Sequence, residues 1–543
     1  MSDLDPKFFT IISTALFASV ILFINDKKIA NILSKVNNSL IKKEKLSIDE
    51  KKYFRYLFLF LAILIVIFQG QYLDFETIDS DIHTYLIVGN DVLKGSLPYE
   101  NEWDDKGPVF YIFYALLIFI SNKNLIVFKL LCDVLLLLIT FNLAKLIYQT
   151  NKYKKEIHSL LGSTFFVLLL STPWGSVEYS EIFCLFFMCP SFYLILKDNP
   201  NKKDLFFSGV LYGLSTLVNQ GSGVFILLFI YLLYKSDKFK YLSRFITGFS
   251  LPHILIFILY TSRNLLDIYF STLVTIPLKY SGQNFNLFHE FNVFLRETFF
   301  YSPFIYLGII FLFVFSIYRI TNIKIFDLDL FPYFGTLLSL IFFYLGSTGY
   351  KHHLIFLLFF LCLLPIYVSS NKKSYYWVFA LLLFCSISSL APESSKKSFK
   401  NLTNINIVYS NYPLRNLSFE IKDQFNEDYT IFSLDHSLIL FYLDKENESF
   451  IIHPTNYIEP SIFNELVHIG RVVPDELPYQ ISKKPNVVLC SKEIRSVLVD
   501  VNCEVTDFFK GYKKIDTDIY FKNSKRSYYK DPYRSIDLYI RSN

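Results

Sequence analysis

Long apolar stretches separated by short polar ones dominate the first 391 residues of the chain. A helix that crosses a bilayer needs about 20 mostly apolar residues, with about 17 as the lower limit. Stretches of this kind centre on residues 8–24, 54–70, 125–148, 157–173, 181–196, 205–219, 222–236, 245–261, 302–318, 328–347, 354–370 and 377–391. The pattern predicts a polytopic α-helical membrane protein of about 12 spans. One more apolar stretch, Pro108–Ile120, has only 13 residues. The leader MSDLDPK is net acidic and no small-residue cleavage site follows, so 8–24 is read as a span and not a signal peptide.

From residue 392 the pattern changes to polar sequence with short apolar runs. YTIFSL (429–434), FIIH (450–453) and NVVLC (486–490) read as strands, and 436–444 and 460–477 carry helical spacing between them. Their alternation predicts a small C-terminal α/β domain of about 150 residues. It contains no Gly-rich phosphate loop. Three parts follow: 1–53, an extra span with a Lys-rich loop; 54–391, the membrane domain; and 392–543, the polar domain. No internal repeat is visible.

Loop charge assigns sides, because cytoplasmic loops carry excess Lys and Arg. Residues 25–55 contain eight Lys and one Arg, whereas 71–107 contain nine acidic residues and only Lys94 and Lys106. The first loop is therefore expected inside and the second outside. If 108–120 crossed, the Lys-rich loops 149–158, 197–204 and 235–244 would lie outside. Laying 108–120 along the outer surface returns them all inside, and puts both termini and the C-terminal domain outside.

Composition agrees. Of 543 residues, 52% are hydrophobic and 19% aromatic, with 59 Phe and 39 Tyr. Charged residues make up 19%, below the roughly 25% of an ordinary globular protein. The net charge of +5 comes with no basic stripe, so nucleic acid is not an expected partner. Cys132, Cys184, Cys189, Cys362 and Cys385 fall in spans and read as apolar filler. Cys490 and Cys503 lie in the outer domain, where oxidising conditions permit pairing; their spacing does not decide it.

Candidate chemistry gathers on the outer side. The loop IDSDIHTYLIVGNDVLKGSLPYENEWDDKGPVFY, residues 78–111, holds Asp79, Asp81, Asp104 and Asp105 among Tyr85, Leu86, Tyr99 and Trp103. An acidic loop is often only solvated. Carboxylates held against an apolar surface have perturbed pKa values and can act as bases. Glu181, in WGSVEYSEIF (174–183), begins an apolar helix, where an ionisable residue marks function by default; Glu178 fits better as a residue favoured by a helix N-terminus. VNQGSG (218–223) offers Gln220 in what reads mainly as a tight turn. Lys351, His352 and His353 form a cationic cluster suited to a phosphate, or equally to an interfacial anchor. Arg263 and Arg296 are weaker candidates beside Glu290 and Glu297. No HExxH, paired CxxC, GxSxG or Walker loop is present, and no spacing signals a zinc site. A divalent ion between Asp81 and Glu181 has no spacing signal either.

These pieces, in this order, resemble the GT-C superfamily of membrane glycosyltransferases. Within it they look like the bacterial branch related to protein O-mannosyltransferases and the aminoarabinose transferase of lipid A. The matching elements are Asp81-Ile82-His83-Thr84-Tyr85, Gly95-Ser96-Leu97-Pro98-Tyr99, Lys106-Gly107-Pro108, Tyr179-Ser180-Glu181, Asn219-Gln220 and His352-His353. They run through residues 54–391, and the family's small extracytoplasmic tail domain is matched in kind. Asn219 stands where the family has Lys, His353 where it has Tyr, and span 8–24 is additional. The resemblance implies a sugar donor on a polyprenyl phosphate in a bacterial plasma membrane, and a glycan, lipid or protein hydroxyl as acceptor. It implies inversion at the anomeric carbon, with Asp81 as base and Asp79 as its rival. Glu181 would orient the acceptor or hold a divalent cation, and Asp105 would position Lys106. Lys106, Lys351 and His352 would neutralise the leaving phosphate. A transporter of lipid-linked sugars would instead place its charges near the midplane and often show inverted repeats. An O-antigen ligase or polymerase would lean on Arg and His in one dominant outer loop.

Overall fold

A computed structural model describes residues 50–150, 155–197, 200–236, 238–280, 286–320, 330–346, 350–363, 374–425, 428–491, 511–515, 517 and 536–541. The expected span 8–24, most of the Lys-rich loop after it, and Cys503 lie outside the described residues. A helix coincides with each of the other predicted stretches. With others that frame the site, the helices are, in order, α1 (Glu50–Gln69), α2 (Ser80–Leu93), α3 (Pro108–Ser121), α4 (Leu125–Thr150), α5 (Lys155–Leu169), α6 (Ser180–Ile195), α7 (Lys202–Val218), α8 (Ile226–Lys235) and α9 (Leu242–Ser262). Then come α10 (Leu287–Tyr301), α11 (Pro303–Ile320), α12 (Phe331–Leu345), α13 (Ile355–Leu363), α14 (Ser374–Thr403), α15 (Pro413–Gln424) and α16 (Pro460–His468). Among the described residues, four helical stretches are long and apolar enough to cross a membrane: Glu50–Tyr72, Leu125–Thr150, Phe239–Ser262 and Trp377–Thr403. Seven shorter apolar helices accompany them.

Local sequence explains the helix ends that matter for the site. Asp79 is the extended N-cap residue of α2 and Asp81 lies in its first turn, where the helix dipole favours a negative charge. Gly107 precedes α3, whose first position is Pro108; proline lacks only an N–H that the first turn would leave unpaired anyway. Asn122 ends α3 in the left-handed region at φ 49°. The exposed side of α3 is apolar, with Ile112, Leu116, Phe119 and Ile120, which suits a lipid-facing helix. Helices α7 and α9 pack backbone to backbone: a Cβ on Gly209 would lie 2.1 Å from the Phe245 carbonyl oxygen, and one on Gly248 would lie 2.1 Å from that of Phe206. Small residues permit this close approach of helices.

Helix α14 runs without a break past residue 391, where the polar part was expected to begin, and ends at Thr403. Beyond it, β1 (Ile431–Ser433), β2 (Val487–Ser491), β3 (Tyr512–Ile515) and β4 (Ile536–Arg541) form one sheet in the order β1-β2-β4-β3. The β1–β2 pair is parallel and the other two pairs are antiparallel. Two of the predicted strands are therefore present. The third, FIIH, supplies only an isolated bridge, between Ile451 and Trp103. Cys490, buried on β2, is disulfide-bonded.

That bridge is part of a broad seam. Residues 71–107 do not lie free as an acidic loop; they pack under the C-terminal part. Trp103 donates its backbone N–H to Phe450 O at 2.8 Å and its indole N–H to Thr272 at 2.8 Å. Glu76 accepts from the backbone N–H groups of Leu414 and Arg415, 2.9 and 3.0 Å, capping α15. Asn447 donates its N–H to Glu102 at 2.6 Å. Tyr85, Tyr99 and Trp103 are fully buried and belong to one apolar core with residues on both sides of the seam. Burial of aromatic residues this large, rather than charge, holds the segment down.

Candidate active site

A cavity of about 400 Å³ opens where α2, the segment before α3, the turn after α7, the end of α12, the turn before α13 and residues 453–462 converge. Asp81, Tyr85, Asp104, Asp105, Lys106, Gln220, His352 and His353 all line it. Leu273, Val274, Ile276, Pro277, Leu278 and Phe342 make an apolar wall. Leu278 and Val274 are at the same time exposed at the surface.

Lys106 is fixed from several sides. Its ammonium is 2.7 Å from Asp105 Oδ1 and 6.0 Å from the centre of the Tyr85 ring. Tyr99 donates its hydroxyl to the Lys106 carbonyl, and the Lys106 N–H donates to the Tyr111 hydroxyl at 3.2 Å. Tyr111 in turn donates to Asp104 Oδ2 at 2.6 Å. Gly107 N–H reaches Val218 O at 2.9 Å, and Gln220 donates to Asp105 O at 3.0 Å, tying this turn to the end of α7. Burial disfavours the ammonium charge, but Asp105, Asp104 and Asp81 outweigh it and hold the lysine above its ordinary range. Burial, helped by Asp105, pushes Asp104 up to about 6.

The two aspartates at the start of α2 have different surroundings. Asp79 accepts the hydroxyl of Tyr179. Burial and the neighbouring Asp81 charge push its carboxyl up to about 8. Asp81 faces the cavity, with Oδ1 at 3.0 Å from His453 Nε2. Burial opposes its charge as well, but the His453 hydrogen bond and charge, with His352 and Lys106, hold it well below the usual carboxylate range. Environments that separate two carboxyls in this way mark different roles for them.

Glu181, fully buried, receives Asn219 Nδ2 at 3.3 Å, and His353 Nε2 stands 3.7 Å from it. Asn219 also donates to Ser180 at 3.1 Å. So Asn219, where the resemblance expects a lysine, serves Glu181 as a neutral donor. The His352 ring stacks on Tyr179, 4.3 Å between centres. Glu181, His352 and His353 each bring one ligand atom within 4.8 Å of the others, an N/O set that a divalent cation such as zinc could take.

Of the residues singled out in the sequence, the structure thus brings Asp81, Tyr85, Asp104, Asp105, Lys106, Gln220, His352 and His353 to one cavity. Asp79 and Glu181 stand directly behind them. Lys351 is turned elsewhere, 2.5 Å from Glu297, and is not among the lining residues. Arg263 pairs with Glu100 at 3.6 Å instead of reaching the site. His453 was missed. It lies in a run that reads as a buried strand, and no local motif marks it; only the tertiary contact does.

No protein-family model matches the chain, and no curated protein sequence does. Solved structures do match. ArnT from Cupriavidus metallidurans in the apo state superposes with a TM-score of 0.55 at 12% identity, covering 89% of this chain and 97% of that one. The same protein bound to undecaprenyl phosphate gives 0.56, with the same identity and coverage. The chain therefore shares the GT-C fold of ArnT. The likeness to ArnT extends over 89% of this chain.

Proposed function

We propose that this protein transfers a sugar from a polyprenyl-phosphate donor to an acceptor hydroxyl at the outer face of a membrane. The observation that carries this reading is one cavity holding an ionised carboxylate and a lysine ammonium, Asp81 and Lys106, against an apolar wall. The likeness to ArnT bound to undecaprenyl phosphate supports the class of donor.

Each part has a task. The apolar wall accepts the first isoprene units while the phosphate meets Lys106. The acceptor oxygen attacks the anomeric carbon and forms the new C–O bond. The bond from that carbon to the phosphate oxygen breaks, and its electron pair leaves with the phosphate. Asp81 takes the hydroxyl proton. Attack from the face opposite the phosphate inverts the anomeric centre. Lys106 meets the charge that develops on the leaving group; losing one such donor typically costs ~10²–10³ in rate. Glu181, buried behind the cavity, acts on the acceptor through Asn219 and His353, which it holds at the lining.

The wider frame follows the loop charges. About twelve spans cross a bacterial plasma membrane, with the catalytic loops and an extracytoplasmic C-terminal α/β domain on the outer side. Acceptors of this topology are cell-envelope glycans, lipids or proteins.

The test uses the full chain in detergent with synthetic polyprenyl-phosphate sugars and membrane extracts, read by mass spectrometry. Transfer by the wild type and its loss in an equally folded Asp81→Asn variant supports the proposal. A wild type that binds donors without moving sugar to any acceptor overturns it.

A further inference from the structure

The cavity described above is not closed by the helical part alone. Residues 453–462, more than 350 positions beyond Asp81 in the chain, supply His453, Thr455, Asn456 and Ile462 to its lining. Among them His453 makes the direct polar contact with the candidate base, 3.0 Å from Asp81 Oδ1.

The imidazole is held so that one particular nitrogen faces the carboxylate. It precedes a short 3-10 turn, Pro454–Tyr457, and Thr455 donates its backbone N–H to His453 Nδ1 at 3.3 Å. The Thr455 hydroxyl is 2.6 Å from the same nitrogen. With Nδ1 engaged as acceptor, the ring proton of the neutral imidazole sits on Nε2. In the imidazolium Nε2 keeps its proton and Nδ1 gains one, which the Thr455 hydroxyl oxygen, 2.6 Å away, accepts. In both states an N–H therefore points at Asp81 Oδ1, with Ser80 Oγ 3.1 Å away as a second neighbour. A histidine whose far nitrogen is fixed presents a defined tautomer and a defined ring orientation to its partner.

We infer that His453 is a positioning residue for the transfer reaction, holding Asp81 oriented and ionised in the cavity, so that the C-terminal part is a component of the active site and not an appendage. The inference rests on the glycosyltransferase reading for the word reaction, but the His453–Asp81 coupling itself does not depend on it.

The electrostatics point the same way. Burial disfavours the imidazolium, yet its bond and charge interaction with Asp81, with Asp104 and Asp105 beyond, raise His453 above the ordinary histidine range. Around Asp81 itself the charged and titratable groups are Asp79 at the N-cap of α2, Tyr85 on α2, Lys106 before α3, His352 and His353 before α13, and His453. His83, also on α2, lies close enough to feel both His453 and Asp81; burial drives it down to about 3, so it stays neutral. Removing His453 takes away the donor nearest to Asp81 and leaves Asp79 beside it. The Asp81 carboxyl should then bind its proton more readily.

The test has two arms on the full-length protein. In the first, the pH–rate profile of sugar transfer is compared for wild type, His453→Ala and His453→Gln. His453→Ala is expected to lose on the order of 10²-fold in rate, as for a reacting group left misplaced. The acidic limb of its profile should move up by about 1–3 pH units, the effect of losing an opposite charge at this range. His453→Gln, which can still donate to Asp81, should recover part of the rate at neutral pH. A role in packing alone would lower the rate without moving the limb, so an unmoved limb in an active variant overturns the inference. In the second arm, thermal stability is measured for His453→Gln, Asp81→Asn and the double variant. Non-additive shifts support the coupling even where no transfer is detected, in which case the glycosyltransferase reading is what has failed. Additive shifts overturn it in either case.

Discussion

The hydroxyl of Tyr179 is hydrogen-bonded to Asp79, while the ring of the same tyrosine lies flat on His352. Asp79 is thereby spent on holding the loop before α6 in place, and its raised carboxyl keeps a proton at neutral pH. Asp81, two residues on, is the ionised carboxylate at the cavity. This separates two acids that the sequence left as rivals. Asp81→Asn should lower kcat/KM by ~10²–10⁴-fold, the usual worth of a general base. Asp79→Asn mimics the protonated acid already present and should stay within about tenfold of wild type near neutral pH. Steady-state transfer rates decide it; a reversed order would make Asp79 the base. A second readout is stability. Asp79 has a folded-state value raised to about 8, so the folded protein holds a proton that the unfolded chain releases near pH ~4. Its contribution is therefore full at low pH and is lost as pH rises through 8. Asp79→Asn should flatten that fall in melting temperature.

Lys106 and Lys351 were equal candidates for the donor phosphate in the sequence. Their surroundings are not equal. Lys106 lines the cavity beside Asp105, whereas Lys351 pairs with Glu297 away from it. Lys106→Ala should cost ~10²–10³ in rate. Lys351→Ala should change the rate by less than about threefold, as befits loss of a partly exposed ion pair. Kinetics at saturating donor and at low donor would compare the two, and a larger effect for Lys351→Ala would shift the phosphate site toward α13.

Much of this architecture was legible in the primary structure, and the limits have physical causes. Helices are legible because an apolar run of sufficient length has few other ways to satisfy its backbone in lipid. Glu181 drew notice because an ionisable group at the start of an apolar helix is costly, His352 as part of a cationic cluster, and Asp81 and Lys106 through the motif order they share with a known superfamily. That Tyr85, Leu86, Tyr99 and Trp103 pack residues 71–107 down was legible, but their partner was not: they were expected against the membrane, and Trp103 meets Phe450 and Ile451 of the distant C-terminal part. Nor was the end of α14: the sequence turns polar from residue 392, yet the helix continues through Pro392 to Thr403. His453 was illegible for a simpler reason. Its role is a contact across 372 positions, and nothing in Phe450–His453 distinguishes it from a strand end.

Gly107 places Lys106, and its lack of a side chain is what permits it. A Cβ here would stand 2.1 Å from Leu217 O and 2.6 Å from the carbonyl carbon of the same residue. Backbone of this kind cannot yield as a flexible side chain would. Gly107→Ala should therefore separate the Lys106 turn from the end of α7, break the Gly107–Val218 hydrogen bond, and destabilise the protein by about 1–3 kcal/mol. Because Gln220 and Asp105 are joined across the same contact, activity should fall more than stability alone accounts for. Thermal unfolding alongside transfer assays would check both. An alanine variant with unchanged melting temperature would show that the two segments are not in this register.

The seam between α2 and the C-terminal part carries its own titration. Asp91 and Glu102 are both buried, and each acts on the other's carboxyl. Burial, with Glu446 and Asp444 nearby, pushes Asp91 up to about 6, against the opposing effects of Glu102 and Lys94. Burial and the Asp91 charge raise Glu102 further. Asp91 Oδ2 and Glu102 Oε2 have no donor, so a proton between the two acids satisfies both. The folded state therefore binds protons that the unfolded chain gives up near pH ~4. By linkage the stabilisation is complete below that value and declines as pH rises through about 6 and beyond. Glu102→Gln keeps the acceptor for the Asn447 N–H and supplies a permanent donor to Asp91. The drop in melting temperature between about pH 5 and about pH 8 should then be smaller than in the wild type. An equal drop in both proteins would mean that the pair does not share a proton and that the seam is insensitive to pH.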